Sequence, residues 1–198
     1  MRTIRKIPAC IFLLVAPLLA QSGYSGPPVA ATGPSFEASV GYVYFSMAMP
    51  TQRVALEGAD ANALIKVSTR WGVTADSVYA HTGNVLGTGY NGNFLSALAG
   101  PVFYPVVRRN LGIFVHVMAG ASWVDSAVPV SGTNYLGGWV ARPSYLAGLG
   151  FEHSLVGPFS LRVSGDYQRT TFVNSNDALQ VQNNLRLTTG FAYRFGTR

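Results

Sequence analysis

The chain has one cysteine and 11% charged residues, and beyond its first twenty positions no apolar run approaches the roughly 20 residues that a membrane-spanning helix needs. Each scarcity excludes something. A single thiol, Cys10, rules out disulfide staples within the chain, and its place at the start of a short apolar stretch is wrong for a lipid-bearing cysteine. Eight acids stand against fourteen Lys and Arg, but three of those bases (Arg2, Arg5, Lys6) cluster at the N-terminus, leaving eleven. They are scattered, with only Arg108 and Arg109 adjacent, so the basic run or stripe of a nucleic-acid binder is missing. No histidine and carboxylate spacing suggests a metal, and no cofactor motif is found. Mean hydropathy is nevertheless +0.24. Apolar residues without long apolar runs are distributed by alternation.

The N-terminal twenty residues explain themselves. A basic start, the short apolar core Ile11 to Leu19 and the small residue Ala20 form a Sec-type signal peptide, expected to leave on export. Residues 21–34 are rich in Gly, Pro, Ser and Ala and read as a flexible periplasmic leader, and residues 35–198 as one barrel domain.

The final run shows the alternation most clearly. Leu185, Leu187, Thr189, Phe191, Tyr193 and Phe195 share one face of a strand, and Asn184, Arg186, Thr188, Gly190, Ala192 and Arg194 the other. Greasy residues outward and polar residues inward mark a transmembrane β-barrel strand. Seven earlier runs follow suit: Ser35 to Met47, Ala61 to Val67, Gly72 to Ala80, Phe94 to Tyr104, Leu111 to Trp123, Arg142 to Glu152 and Phe159 to Phe172. Pro101 predicts a bulge or a strand end, because proline cannot donate to the ladder. Short connections after even-numbered strands and long ones after odd-numbered strands predict an all-β, eight-stranded antiparallel up-and-down transmembrane barrel with both termini in the periplasm. A soluble lipocalin-like barrel would carry the opposite polarity, aliphatic inside and charged outside.

Gly100-Pro101, Ser160 to Val163 leading to Asp166-Tyr167, and Gln182 to Leu187 leading to Gly190 to Phe195 resemble the OmpA-like outer-membrane barrel family in its single-domain form. The resemblance covers essentially the whole mature chain and is strongest at its end. It implies residence in the outer membrane of a Gram-negative cell, with outer-membrane lipids, lipopolysaccharide and the assembly machinery as partners, and Tyr193 and Phe195 as the terminal aromatic assembly signal. The three residues after Phe195 depart from that signal, and no peptidoglycan-binding domain is expected.

An eight-stranded barrel has a bore just wide enough to be filled by its own side chains. The inward set contains Glu37, Lys66, Asp76, His116, Glu152, Arg162, Asp166, Arg186 and Arg194, and opposite charges on adjacent strands are expected to pair as an ionic plug. A monomer with a structural or surface-interaction role follows, and a small low-conductance pore is the alternative. Asp76-Ser77 with nearby His81 superficially resembles a lipid A-modifying barrel enzyme, but alternation sets Asp76 and Ser77 on opposite faces, so no catalytic triad is expected. Arg142 and Arg169 are candidates for lipopolysaccharide phosphates. The segments Met47 to Asp60, His81 to Asn93, Val124 to Ala141 and Asn174 to Gln180 are expected as surface loops, with Tyr90, Tyr135 and Trp139 as anchors for a ligand. Tyr42, Tyr44, Trp71, Trp123, Tyr145, Tyr167, Phe191, Tyr193 and Phe195 are girdle candidates.

Overall fold

The computed structural model describes residues 35–49, 52–83, 85, 89–126, 128–131, 134–136, 138–173 and 179–195, with side chains left undescribed at 126–137 and at 173, 179 and 180. The proposed signal peptide, leader and last three residues lie outside them. In chain order the strands are β1 (Ser35–Ala48), β2 (Arg53–Lys66), β3 (Trp71–Thr82), β4 (Gly92–Val107), β5 (Leu111–Ser126), β6 (Val128–Ser131), β7 (Asn134–Leu136), β8 (Trp139–Ser154), β9 (Phe159–Val173) and β10 (Leu179–Phe195). Eight of them close a barrel in the order β1-β10-β9-β8-β5-β4-β3-β2, every pair antiparallel, while β6 and β7 form a small separate hairpin. First and last strands pair from Phe36 with Phe195 to Ser46 with Leu185, which leaves the barrel without an open edge.

Period-two sequence dictates which side chains fill the bore. Along β3 burial alternates without a break, so Thr74, Asp76, Val78 and Ala80 point in and Val73, Ala75, Ser77 and Tyr79 point out. The outward row is apolar and bare: Val40 is 68% exposed, Leu187 56% and Phe191 57%. Aromatic pairs ring the end that carries both described termini, with Phe36 against Phe195 at 5.4 Å between ring centroids, Trp71 against Phe103 at 4.7 Å and Phe159 against Tyr193 at 5.2 Å. Nearer the other end Tyr79, Trp123, Tyr145 and Tyr167 stand on the outer face.

The strands run longer than the sequence reading anticipated, and the reason is the same each time. β2 begins at Arg53 rather than Ala61, so most of the expected first loop is strand, and β3 and β4 together take in His81, Thr82, Gly92 and Asn93. Strands of 12 to 17 residues exceed the roughly 9 to 11 that cross the hydrocarbon. Their outer ends project past it, and there polarity reverses: Arg53 and Glu57 face out while Val54 and Leu56 face in. The long connections thereby reduce to 83–91 and to 127–138, which holds the β6–β7 hairpin, whereas 49–52 and 174–178 are short.

Two further expectations change. Pro101 makes no bulge: Ala99 opposite Ala119 and Val102 opposite His116 keep one register across it. The register shifts between Phe103 and Val106, beside the second proline, Pro105. Leu161 occupies an outward position on β9 yet is only 7% exposed, flanked by its cross-strand neighbours His153 and Phe191.

The bore is layered rather than uniformly polar. At the outer end Val43, Phe45, Met47, Val54, Leu56, Val78, Ala80 and Phe94 form an apolar seal, in which Phe45 of β1 stacks on Phe94 of β4 with ring centroids 4.2 Å apart. Toward the opposite end Leu64, Val102, Tyr104 and Phe114 pack together. The charged groups lie between and among these layers.

Candidate functional site

All nine interior candidates are buried in the bore, none more than 9% exposed. Register brings them together as two clusters. Arg186 organises the outer one: its Nη1 and Nη2 donate to Asp76 Oδ1 and Oδ2 at 2.6 and 3.2 Å, a bidentate pairing from β10 to β3, and its Nε donates to Asp166 Oδ2 at 2.8 Å. Asp166 is the cross-strand partner of Arg186. Its other oxygen, Oδ1, lies 2.8 Å from His116 Nε2, and Ser164 Oγ donates to Oδ2. Between His116 on β5 and Asp166 on β9 runs β8, and the residue level with both is Gly148. A Cβ there would meet Asp166 Oδ1 and His116 Nε2, so only glycine lets the two side chains meet over that strand.

The inner cluster is built on Glu37 and Glu152. Lys66 Nζ sits 2.8 Å from Glu37 Oε1, and Arg194 bridges both carboxylates, Nε to Glu37 Oε1 at 2.7 Å and Nη2 to Glu152 Oε1 at 2.9 Å. Tyr104 donates to Glu152 Oε2 at 3.2 Å and Ser160 to Oε1 at 3.1 Å, while the Lys66 ammonium also lies 4.6 Å from the Tyr104 ring centroid. Arg162 lies between the clusters and does not pair with Asp166, four residues along its own strand. At about 3.3 Å per residue that spacing is too long, and cross-strand neighbours win. Its guanidinium instead caps the face of Phe114 at 4.3 Å.

Sequence reading missed Asp60, which it placed in a loop. On β2 it is 7% exposed and lines, with Asn62, Asp76, Arg162 and Arg186, an internal cavity of about 20 Å³. That volume has room for about one water, not for a stream of solute. Strict alternation of Arg53, Ala55, Glu57 and Ala59 against Val54, Leu56, Gly58 and Asp60 was the signal available. Beyond the outer cluster, Gln168 bonds Ser122 and Ser144, and Thr170 joins Gln182 and Asn184. The apolar seal follows.

Catalytic convergence does not occur around Asp76. Its carboxylate is occupied by Arg186, Ser77 is exposed on the opposite face, and His81 stands outside the barrel bonded to Asn93 at 2.8 Å. Among the described residues no group of three His, Cys, Asp or Glu is placed to hold a metal ion.

A closed eight-stranded antiparallel barrel with an apolar outer face and an ion-paired bore is the architecture of the small outer-membrane barrels. The solved structures that share this fold include Neisserial surface protein A, with 9% identity and a TM-score of 0.65 over 82% of this chain and 99% of that one. They also include Ail, the attachment invasion locus protein of Yersinia pestis, with 17% identity, a TM-score of 0.59 and coverage of 83% and 100%. OprG from Pseudomonas aeruginosa follows at 11% identity and a TM-score of 0.54, covering 87% and 99%. No protein-family model and no curated protein matches the chain.

Proposed function

We propose that this protein is an integral outer-membrane barrel of a Gram-negative cell, reached through Sec export, with a structural or surface-interaction role and a sealed bore. One observation carries the reading: polarity is turned inside out, with Val40, Leu185, Leu187 and Phe191 bare on the outer face and Arg186, Asp166, Glu37 and Glu152 shut inside. In water such a surface would be a large aggregation liability, whereas a bilayer solvates it. The fold neighbours support that setting, and the attachment invasion locus protein among them, also crystallised with the heparin analogue sucrose octasulfate, supports surface interaction over catalysis. The barrel is monomeric, and Tyr193 and Phe195 at the end of β10 serve recognition by the outer-membrane assembly machinery.

Replacing Leu187 at the middle of β10 by arginine tests the setting. In vesicles the variant loses about 2 to 4 kcal/mol of folding free energy, measured by urea titration of heat-modifiable migration, because a cation at midplane faces lipid. A barrel standing in water would lose almost nothing there, and an unchanged midpoint overturns the proposal.

The pore reading is disfavoured by the Phe45 and Phe94 seal and by a cavity of single-water size. Purified protein in planar bilayers is expected to give no conductance steps. Regular unitary steps that vanish when the protein is omitted would restore the pore.

A further inference from the structure

Two guanidinium groups are planted on the outer face near the long-loop end of the barrel, and neither has an acidic partner among the described residues. Arg53 of β2 lies across β1: its Nε donates to Ser46 Oγ at 2.8 Å, and its Nη2 to the carbonyls of Ser46 at 2.8 Å and Asn183 at 3.1 Å. Those bonds hold the head group in place, and Nη1 makes no hydrogen bond among the described residues. On the other side of Asn183, its cross-strand neighbour is Arg169 of β9. Tyr167 fixes the residue between them by donating to Asn183 Oδ1 at 2.6 Å. Both arginines are exposed, and neither takes part in an ion pair among the described residues.

Arg169 also closes one end of a groove. From it, between Tyr145 and Tyr167, an apolar trough of about 500 Å³ runs over the outer face of β9, β8, β5 and β4, floored by Ala147, Ala119 and Ala99. The trough lies open along the outer face, a shape that suits an extended chain rather than an enclosed ligand. Alanine rows make the trough, because the neighbouring outward positions carry larger side chains such as Val73, Val117 and Leu149.

We infer that Arg53 and Arg169 form a docking site for one phosphorylated lipid of the outer leaflet, its phosphates held by the two guanidinium groups and an acyl chain entering the trough at Arg169 and lying along the alanine floor. The inference rests on the outer-membrane reading. Charge complementarity selects the occupant: two uncompensated arginines at the lipid boundary call for an anion, and guanidinium binds phosphate in charge-assisted, often bidentate, fashion. Position selects the leaflet, since the longer loops 83–91 and 127–138 mark this end as the outside. Arg142, the other candidate from sequence, sits at an inward position next to Ser144 on β8 and is left out of the site.

The test uses the full chain refolded into phosphatidylcholine nanodiscs doped with lipid A, released into mild detergent and weighed intact by native mass spectrometry. Wild type is expected to retain lipid A in preference to phosphatidylcholine and to lose that preference when the lipid A is enzymatically dephosphorylated. Each of Arg53→Gln and Arg169→Gln weakens retention by roughly tenfold, the double variant abolishes the preference, and Ala119→Phe lowers retention with both arginines present. A double variant that keeps the wild-type preference, or a dephosphorylated lipid held equally well, overturns the inference. Heat-modifiable migration of every variant separates the two readings: protein that never folds into the nanodisc defeats the membrane proposal, whereas folded protein without phosphate preference defeats the docking site alone.

Discussion

Arg186→Met is expected to cost the barrel about 3 to 5 kcal/mol, enough to move it from folded to largely unfolded in moderate urea. The magnitude follows from what remains. Arg186 is 1% exposed and supplies three donors, two to Asp76 and one to Asp166. Removing it strands the buried Asp76 carboxylate and leaves Asp166 with His116 and Ser164 alone, and an uncompensated buried charge is penalised far more than an intact pair is rewarded. The triple variant Asp76→Asn, Asp166→Asn, Arg186→Met therefore regains much of the loss, since it removes the charges together. Urea titration in detergent, followed by heat-modifiable migration, distinguishes the outcomes. If Arg186→Met unfolds at the wild-type midpoint, the cluster is solvated and the sealed bore is wrong.

The same cluster shows what a linear reading of residues can and cannot reach. Period-two alternation assigns Glu37, Lys66, Asp76, Arg186 and Arg194 to the bore because along the middle of each strand hydrocarbon outside and a polar interior give opposite faces opposite chemistry. It fails at the outer ends, where Arg53 and Glu57 face out and Val54 and Leu56 face in. A polarity rule tuned to lipid sees that segment as a loop, and Asp60 is lost with it. Which charges meet is a matter of register, and register is legible only where one short hairpin joins the partners, as β9 and β10 do for Asp166 and Arg186. The pairing of Arg186 with Asp76 from β3 depends on closure of the whole cylinder, so nothing local to either strand announces it. The Phe45 and Phe94 stack across the bore is hidden for the same reason.

Gly148 provides the second large effect and a matched contrast. A valine there places its Cβ on Asp166 Oδ1 and His116 Nε2, so the contact over β8 breaks and Asp166 is pushed from Arg186. The expected loss is about 3 kcal/mol or more, combining overpacking with a disrupted buried ion pair. Gly165, one strand further on, is the control. Its added Cβ would face outward, with its nearest neighbour the flexible tip of Leu187 at 3.5 Å, an ordinary contact. Gly165→Ala should leave stability within about 0.5 kcal/mol of wild type. Both are measured by the same urea titration, and His116→Ala in the Gly148→Val background separates the causes. If the valine acts by displacing the His116 contact, the double variant is less impaired than the sum of the singles, because the smaller side chain makes room. Additive losses would mean that Gly148 serves the backbone of β8 rather than the meeting of His116 with Asp166.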